Sequence, residues 1–268
     1  MKIFLFGSSG MLGRYVYSVL IKNYNVKCIN RNQYDIVNDN DNIDKLNESL
    51  FDTTNEDIII NCCGIIPQKT KQNDYKTYIL GNTLFPHKLE SISKEKNARF
   101  IHITTDCVFD GKTGNYNEDS LHTACDLYGI SKSLGEPNDS TVIRTSIIGE
   151  ELFGKKSLLE WVKSNKNGEI NGYTNHYWNG VTCLTLANFI KTMIDNGNFW
   201  KGVKHIFSKN IVSKYDLCCY INEIYHLNIK INKYEDTNAK NMTLTGEIEI
   251  NKSIYEQICE INNNIKLT

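Results

Sequence analysis

The sequence predicts an α/β fold, a doubly wound parallel sheet with a smaller C-terminal substrate lobe, from three observations. Short apolar runs recur at 2–6 ("KIFLF"), 25–29 ("NVKCI"), 57–63 ("DIIINCC"), 98–104 ("ARFIHIT") and 140–148 ("STVIRTSII"). Stretches of helical spacing lie between them, as in "RYVYSVLIKN", where Val16, Val19 and Leu20 recur on one face. A glycine-punctuated turn, "GSSGMLG", separates the first run from that helix. Strands alternating with helices at this spacing form a parallel sheet covered on both faces.

Each element has its own reason. "MKIFLF" lacks a small-residue cleavage site and is soon followed by Arg14, so it reads as a buried first strand and not as a signal peptide. "TLFPHKLESISKEK" (83–96) is helix-like. Past residue 150 the pattern loosens through turn-rich "NKNGEINGYTNHYWNG", then turns helical at 185–197 and 213–225. Residues 1–268 thus read as one unit, with about 1–150 as a nucleotide-binding core and about 151–268 as a lobe partly interleaved with it.

Composition narrows the partners. With 268 residues, 40% hydrophobic, 23% charged and a net charge of -1, the chain can bury a large core but carries no basic field for nucleic acid and no acidic tail. A small molecule, or a second copy in a homodimer, is the expected partner. No apolar run approaches the ~18 residues of a membrane span, so no membrane partner is expected. The nine cysteines lack C-x-x-C spacing, which gives no zinc or other metal site and fits reduced thiols in a cytoplasmic protein.

The chemistry begins at Gly7, Gly10 and Gly13. Between a first strand and a first helix, glycines allow a tight turn, close approach of a pyrophosphate and dense helix packing. Ser9, Met11 and Leu12 belong to the same dinucleotide-binding turn. Downstream, "YGISK" supplies Tyr128 and Lys132, four residues apart and so on one helix face. There the ammonium is expected to depress the phenol pKa and to anchor a ribose hydroxyl.

A strand-end hydroxyl, Thr105, followed by Tyr128 and Lys132 behind "GSSGMLG", resembles the extended short-chain dehydrogenase/reductase superfamily. Within it, "TTDCVFDG", "YGISKSLGE" and "VIRTS" look most like the dTDP-4-dehydrorhamnose reductase type of nucleotide-sugar reductase, from residue 1 to about 190. The resemblance implies a Rossmann-type core, a nicotinamide cofactor and a nucleotide-linked 4-keto-6-deoxyhexose on a dTDP or UDP carrier. Carried over by position, it implies Tyr128 as proton donor, Lys132 as its helper cation and Thr105 as the catalytic hydroxyl, with Thr104 as the alternative. Asn82 falls where the superfamily has an Asn supporting the lysine; its other reading is a cap on the following helix.

NADPH is expected over NADH. After the second strand the chain offers Asn30 and Arg31 where an NAD-preferring fold places an acid, and Arg31 suits a 2'-phosphate. The resemblance sets Asp35 and Ile36 near the adenine, and Cys63 and Gly64, after "IIIN", where the family's fourth strand meets the cofactor.

Asp106 and Cys107 stand where sugar-nucleotide 4,6-dehydratases carry Asp-Glu, so the absent Glu argues against dehydration. A Cys two residues after the hydroxyl instead resembles GDP-fucose synthase, which implies a Cys107 thiolate and His176 epimerising carbon 3 before reduction. The alternative for Cys107 is packing. Asp106, His176, Trp178 and Asn179 are expected to line the sugar pocket. Two other functions compete: an epimerase holding NAD tightly, and a non-catalytic NADP-binding regulatory protein.

Overall fold

The computed structural model describes residues 1–71, 74–152 and 154–263. In chain order the elements are β1 (Lys2–Phe6), α1 (Met11–Leu20), β2 (Asn25–Ile29), α2 (Ile43–Ser49), β3 (Ile58–Asn61), α3 (Tyr75–Tyr78), α4 (Phe85–Glu95), β4 (Arg99–Thr105), α5 (Leu127–Ser133) and β5 (Thr141–Thr145). They continue with β6 (Ile147–Ile148), α6 (Leu158–Ser164), β7 (Glu169–Tyr173), β8 (His176–Trp178), β9 (Val181–Thr182), α7 (Cys183–Asn196), β10 (Gly202–Ser208), β11 (Val212–Ser213) and α8 (Lys214–Ile224). The last are β12 (Lys230–Tyr234), β13 (Lys240–Asn241), β14 (Ile248–Ile250) and α9 (Ile254–Asn263).

Seven of the strands form one sheet in the order β14-β10-β5-β4-β3-β1-β2, and every neighbouring pair in it is parallel. Successive side chains of a strand point to opposite faces, and here both faces are apolar. On one face Ile3, Leu5, Ile60, Ile103 and Ile143 pack against α1 and α7. On the other, Phe4, Phe6, Ile59 and Phe100 pack against Leu46 of α2 and Phe85 and Leu89 of α4. This double covering is the predicted doubly wound sheet.

The order in which strands are added to the sheet reverses at β1, since β2 lies on one side of it and β3 on the other. A crevice at the carboxyl ends of the strands opens at such a point. Gly7, Cys62, Cys63 and Thr105 all lie at those carboxyl ends.

Two strands and a helix from the later half, β10, β14 and α7, return to this sheet. The remainder builds a second core in which Leu159, Trp178, Leu217, Ile221 and Ile258 are buried together. The stretch read as turn-rich, 165–180, contains β7 and β8. Its strands pair with distant partners, β7 with β12 and β8 with β11 and β13, so local sequence carries little of their signal. Among the described residues, no helix is long and apolar enough to cross a membrane.

Candidate active site

The glycine turn is shaped by close backbone approach. Gly7 has φ +80°, and a Cβ there would sit 2.9 Å from the Cys62 carbonyl carbon and the Cys63 nitrogen. A Cβ on Gly13 would lie 2.0 Å from the Gly7 oxygen. Helix α1 begins at Met11, earlier than the periodicity suggested, so Gly13 lies inside the helix and lets it pack onto the turn. Its N-cap, Gly10, provides no side-chain cap, and its first turn holds no acidic residue. The first-turn amides therefore face the crevice without a side-chain acceptor, as a phosphate site requires. Ser9 is exposed at the tip of the turn, whereas the Met11 and Leu12 side chains pack into the core, leaving these two only their amides to offer.

Arg31 is exposed past the end of β2 and, among the described residues, makes no hydrogen bond or ion pair. Its charge acts on both Asp35 and Cys63. Burial opposes ionisation of Asp35, but hydrogen bonds from Asn38 and Val37, with the Arg31 charge, hold its carboxyl below the usual range. Those oxygens are thus already engaged in a turn. Ile36 joins the core beneath. Cys63 and Gly64 follow β3, which is third and not fourth in chain order. Burial pushes the Cys63 thiol up to about 12, against the pull of Lys132 and Arg31.

The residues expected to be catalytic come together at the end of β4. The Thr105 side chain accepts from the Cys107 amide at 3.2 Å and donates to Asp106 Oδ1 at 3.1 Å. Asp106 is buried, and the Ser146 hydroxyl also bonds to it. Burial raises its carboxyl, while Ser146, Lys214 and Thr105 act in the opposite direction. Helix α5 carries Tyr128 against this turn because Gly129 is small: a Cβ there would be 2.3 Å from the Cys107 carbonyl oxygen. Tyr78 meets the Tyr128 ring edge-on at 6.5 Å.

Lys132 is buried and donates to the Ile103 carbonyl on β4 at 3.1 Å. Burial lowers it to about 8, opposed by Glu136 and the thiols of Cys63 and Cys62. The expected depression of the Tyr128 pKa is corrected here. Burial pushes the phenol up, with the Cys107 thiol adding to the rise, and a hydrogen bond with Thr105 only partly opposes it. Desolvation outweighs any help from an ammonium that is spent on a carbonyl.

Asn82 sits in a π-helical turn, Ile79–Leu84, and caps no helix. Its amide bonds the Ile65 backbone in both directions, at 2.8 and 3.0 Å, and donates to Ser131 Oγ at 3.0 Å. Ser131 precedes Lys132, so Asn82 braces the lysine's helix without touching the lysine. A second brace is Arg144 of β5, which is fully buried: it holds Glu136 through Nε at 3.0 Å and Nη2 at 2.6 Å. It also donates to Nε2 of His205 at 2.9 Å and of His122 at 2.8 Å. A guanidinium only donates, so both imidazoles are neutral and protonated at Nδ1. His122 and His205 are not marked by any local motif.

Two expectations for the pocket are corrected. The Cys107 thiolate is opposed by burial and by the Asp106 carboxylate, which together push the thiol up to about 12. Asn179 is clamped to the Leu244 backbone, Oδ1 accepting from its nitrogen and Nδ2 donating to its oxygen, both at 2.8 Å, so its amide is not free for a sugar. His176 stacks on Tyr173 at 4.5 Å and turns Nε2 to Asp236 at 3.0 Å and the Asn238 carbonyl at 3.2 Å. Among the described residues it shares no hydrogen bond, ion pair or ring contact with Cys107. Trp178 is buried, and its ring lies below the ammonium of Lys214 at 5.2 Å. Lys214 was not singled out from the sequence. The one available signal is its place directly after a capping Ser213, in a first helical turn where a cation opposes the helix dipole.

The RmlD substrate binding domain model matches residues 1–240. The dTDP-4-keto-6-deoxy-D-glucose reductase of Streptomyces niveus is 26% identical over 169 residues, covering 59% of this chain and 57% of that protein. The dTDP-4-dehydrorhamnose reductase of Aggregatibacter actinomycetemcomitans is 26% identical over 236 residues, 82% of this chain and 78% of that one. Among solved structures, dTDP-4-dehydrorhamnose reductase from Bacillus anthracis in complex with NADP superposes with a TM-score of 0.82 at 18% identity, covering 99% of each chain. That likeness is one of fold.

Proposed function

This chain belongs to the RmlD substrate binding domain family, and from that premise we propose that it reduces the 4-keto group of a nucleotide-linked 4-keto-6-deoxyhexose with NADPH, a step of deoxysugar biosynthesis. The observation that carries this reading is the junction of Thr105 with Tyr128 beside the buried Lys132. The sugar carrier is dTDP or UDP, and 2-acetamido hexoses belong to the same class.

The glycine turn and the α1 amides fit a pyrophosphate, and Arg31 fits a ribose 2'-phosphate. When bound, the nicotinamide supplies a hydride for carbon 4. Tyr128 delivers a proton to the oxygen that gains charge, and burial suits it to this task by keeping the phenol protonated. Thr105 donates a hydrogen bond to the same oxygen. Lys132 supplies positive charge from beneath and, through Ile103, is fixed to the strand that carries Thr105.

NADPH oxidation with dTDP- and UDP-linked 4-keto-6-deoxyhexoses, 2-acetamido forms included, tests the reading. One NADPH should be consumed per 4-hydroxy product, and Tyr128→Phe should lower kcat by about 10²–10⁴-fold while NADPH binding persists. No oxidation with any member of the panel, or Tyr128→Phe turnover within a few-fold of wild type, would reject it. An unchanged nicotinamide absorbance during sugar conversion would instead indicate an epimerase with captive NAD.

A further inference from the structure

Lys214 is the first residue of α8, and among the described residues its ammonium forms no hydrogen bond or ion pair. Its contact is with the Trp178 ring, which attracts a cation but accepts none of its three N–H groups in a conventional hydrogen bond. Trp178 is fixed beside the catalytic turn. A Cβ at Gly180 would lie 2.2 Å from the Ser146 oxygen and 2.4 Å from the Trp178 ring, and the Ser146 hydroxyl bonds to Asp106. Asp106, Ser146 and Trp178 thus adjoin one another beside Thr105, and Lys214 stands against the Trp178 ring. Among the described residues, the three N–H groups of Lys214 are unused.

We propose that Lys214 reads the hexose, donating to a neutral sugar oxygen, either a hydroxyl or an acetamido carbonyl, and not to the pyrophosphate; this rests on the nucleotide-sugar reading above. Position argues for the sugar, because Lys214 acts on Asp106 and Cys107, the residues directly following the hydroxyl assigned to the reacting carbonyl. Charge argues the same way. Lys214 already balances the buried Asp106 carboxylate, and a phosphate oxygen beside that carboxylate would be an uncompensated second anion. A neutral acceptor adds none. Burial lowers the Lys214 pKa, against the charge of Asp106, so the ammonium is poorly solvated and gains most from a fixed acceptor.

The test is calorimetric binding to the NADP⁺-loaded protein, which cannot deliver hydride. The probes are dTDP, UDP and the 4-keto-6-deoxyglucose and 2-acetamido-4-keto-6-deoxyglucose conjugates of each. Lys214→Met should weaken binding of the sugar conjugates by about 10- to 100-fold while leaving the free diphosphates within about two-fold. Lys214→Arg should restore a substantial part of the loss. Should Lys214→Met not fold, Lys214→Gln is measured in the same way. Equal losses for diphosphate and conjugate, or no loss for either, would overturn the proposal while leaving the reductase reading intact. If the wild type bound no diphosphate and no conjugate, the reductase reading would fall and the proposal with it.

Discussion

The backbone carbonyl of Cys107 lies 2.3 Å from the position a Cβ would occupy on Gly129. A real carbon cannot sit there. The helix carrying Tyr128 and the turn carrying Thr105 are therefore in register because residue 129 has no side chain. Gly129→Ala sets two effects against each other. Alanine favours a helix interior by about 1 kcal/mol, whereas overpacking against backbone costs about 1–3 kcal/mol. The second should prevail. We expect a lower Tm and a kcat reduced by about 100-fold, since a displacement near 1 Å is enough for that. Unchanged kcat would mean that Tyr128 does not depend on this contact.

Arg31 has no partner among the described residues, and Asp35, the nearby acid, is engaged by its own turn. The Asp35 oxygens are therefore not free for a ribose 2'-hydroxyl. Arg31→Asp should shift the ratio of kcat/KM for NADPH over NADH towards NADH by about 10- to 100-fold, the worth of a charged hydrogen bond. An unaltered ratio would place the 2'-phosphate elsewhere.

The sheet, and the closeness of Thr105, Tyr128 and Lys132, were legible because their signals are local. The apolar runs "KIFLF" and "ARFIHIT", buried on both faces, and the helical spacing of Tyr128 and Lys132 depend on neighbours a few residues away. The pocket's far wall was not. Lys214 meets Trp178 through the pairing of β11 with β8, and Asn179 spends its amide on Leu244, 65 residues later. Polar types alone told nothing of which groups remain free. The phenol pKa is not legible for a related reason: helix spacing brings Lys132 to the right face, but the burial around Tyr128 and the Ile103 carbonyl that engages the ammonium arise only from tertiary packing.

Lys132 gives stability and activity opposite pH dependences. Its folded-state pKa is about 8, below its ordinary value of 10.5. Below pH 8 both folded and unfolded chains carry the charge, and the folded chain bears the full cost of burying it. Between about 8 and 10.5 the unfolded chain still holds a proton that the folded chain has released, so this residue's contribution to stability rises with pH. The Tm of the wild type should therefore gain on that of Lys132→Met across this range, while wild-type kcat declines as the ammonium is lost. Parallel Tm profiles for the two proteins would show that Lys132 is not desolvated in this way.

Cys107 yields the last expectation, and it weighs against carbon 3 epimerisation. Its thiol is within reach of Asp106 Oδ1 at 3.6 Å and is pushed up to about 12, chiefly by burial and then by that carboxylate. A thiol held protonated in this way at neutral pH offers little base for abstraction. His176, which would act from the other face, directs Nε2 to Asp236. A 4-keto substrate incubated with wild-type protein in deuterated water, without NADPH, should acquire carbon 3 deuterium no faster than in buffer. Cys107→Ser should keep kcat/KM for reduction within a few-fold, because Thr105, Tyr128 and Lys132 are untouched. Enzyme-dependent exchange that disappears in Cys107→Ser would reverse this conclusion and show that substrate binding itself drives the thiol proton off, making the protein an epimerase as well as a reductase.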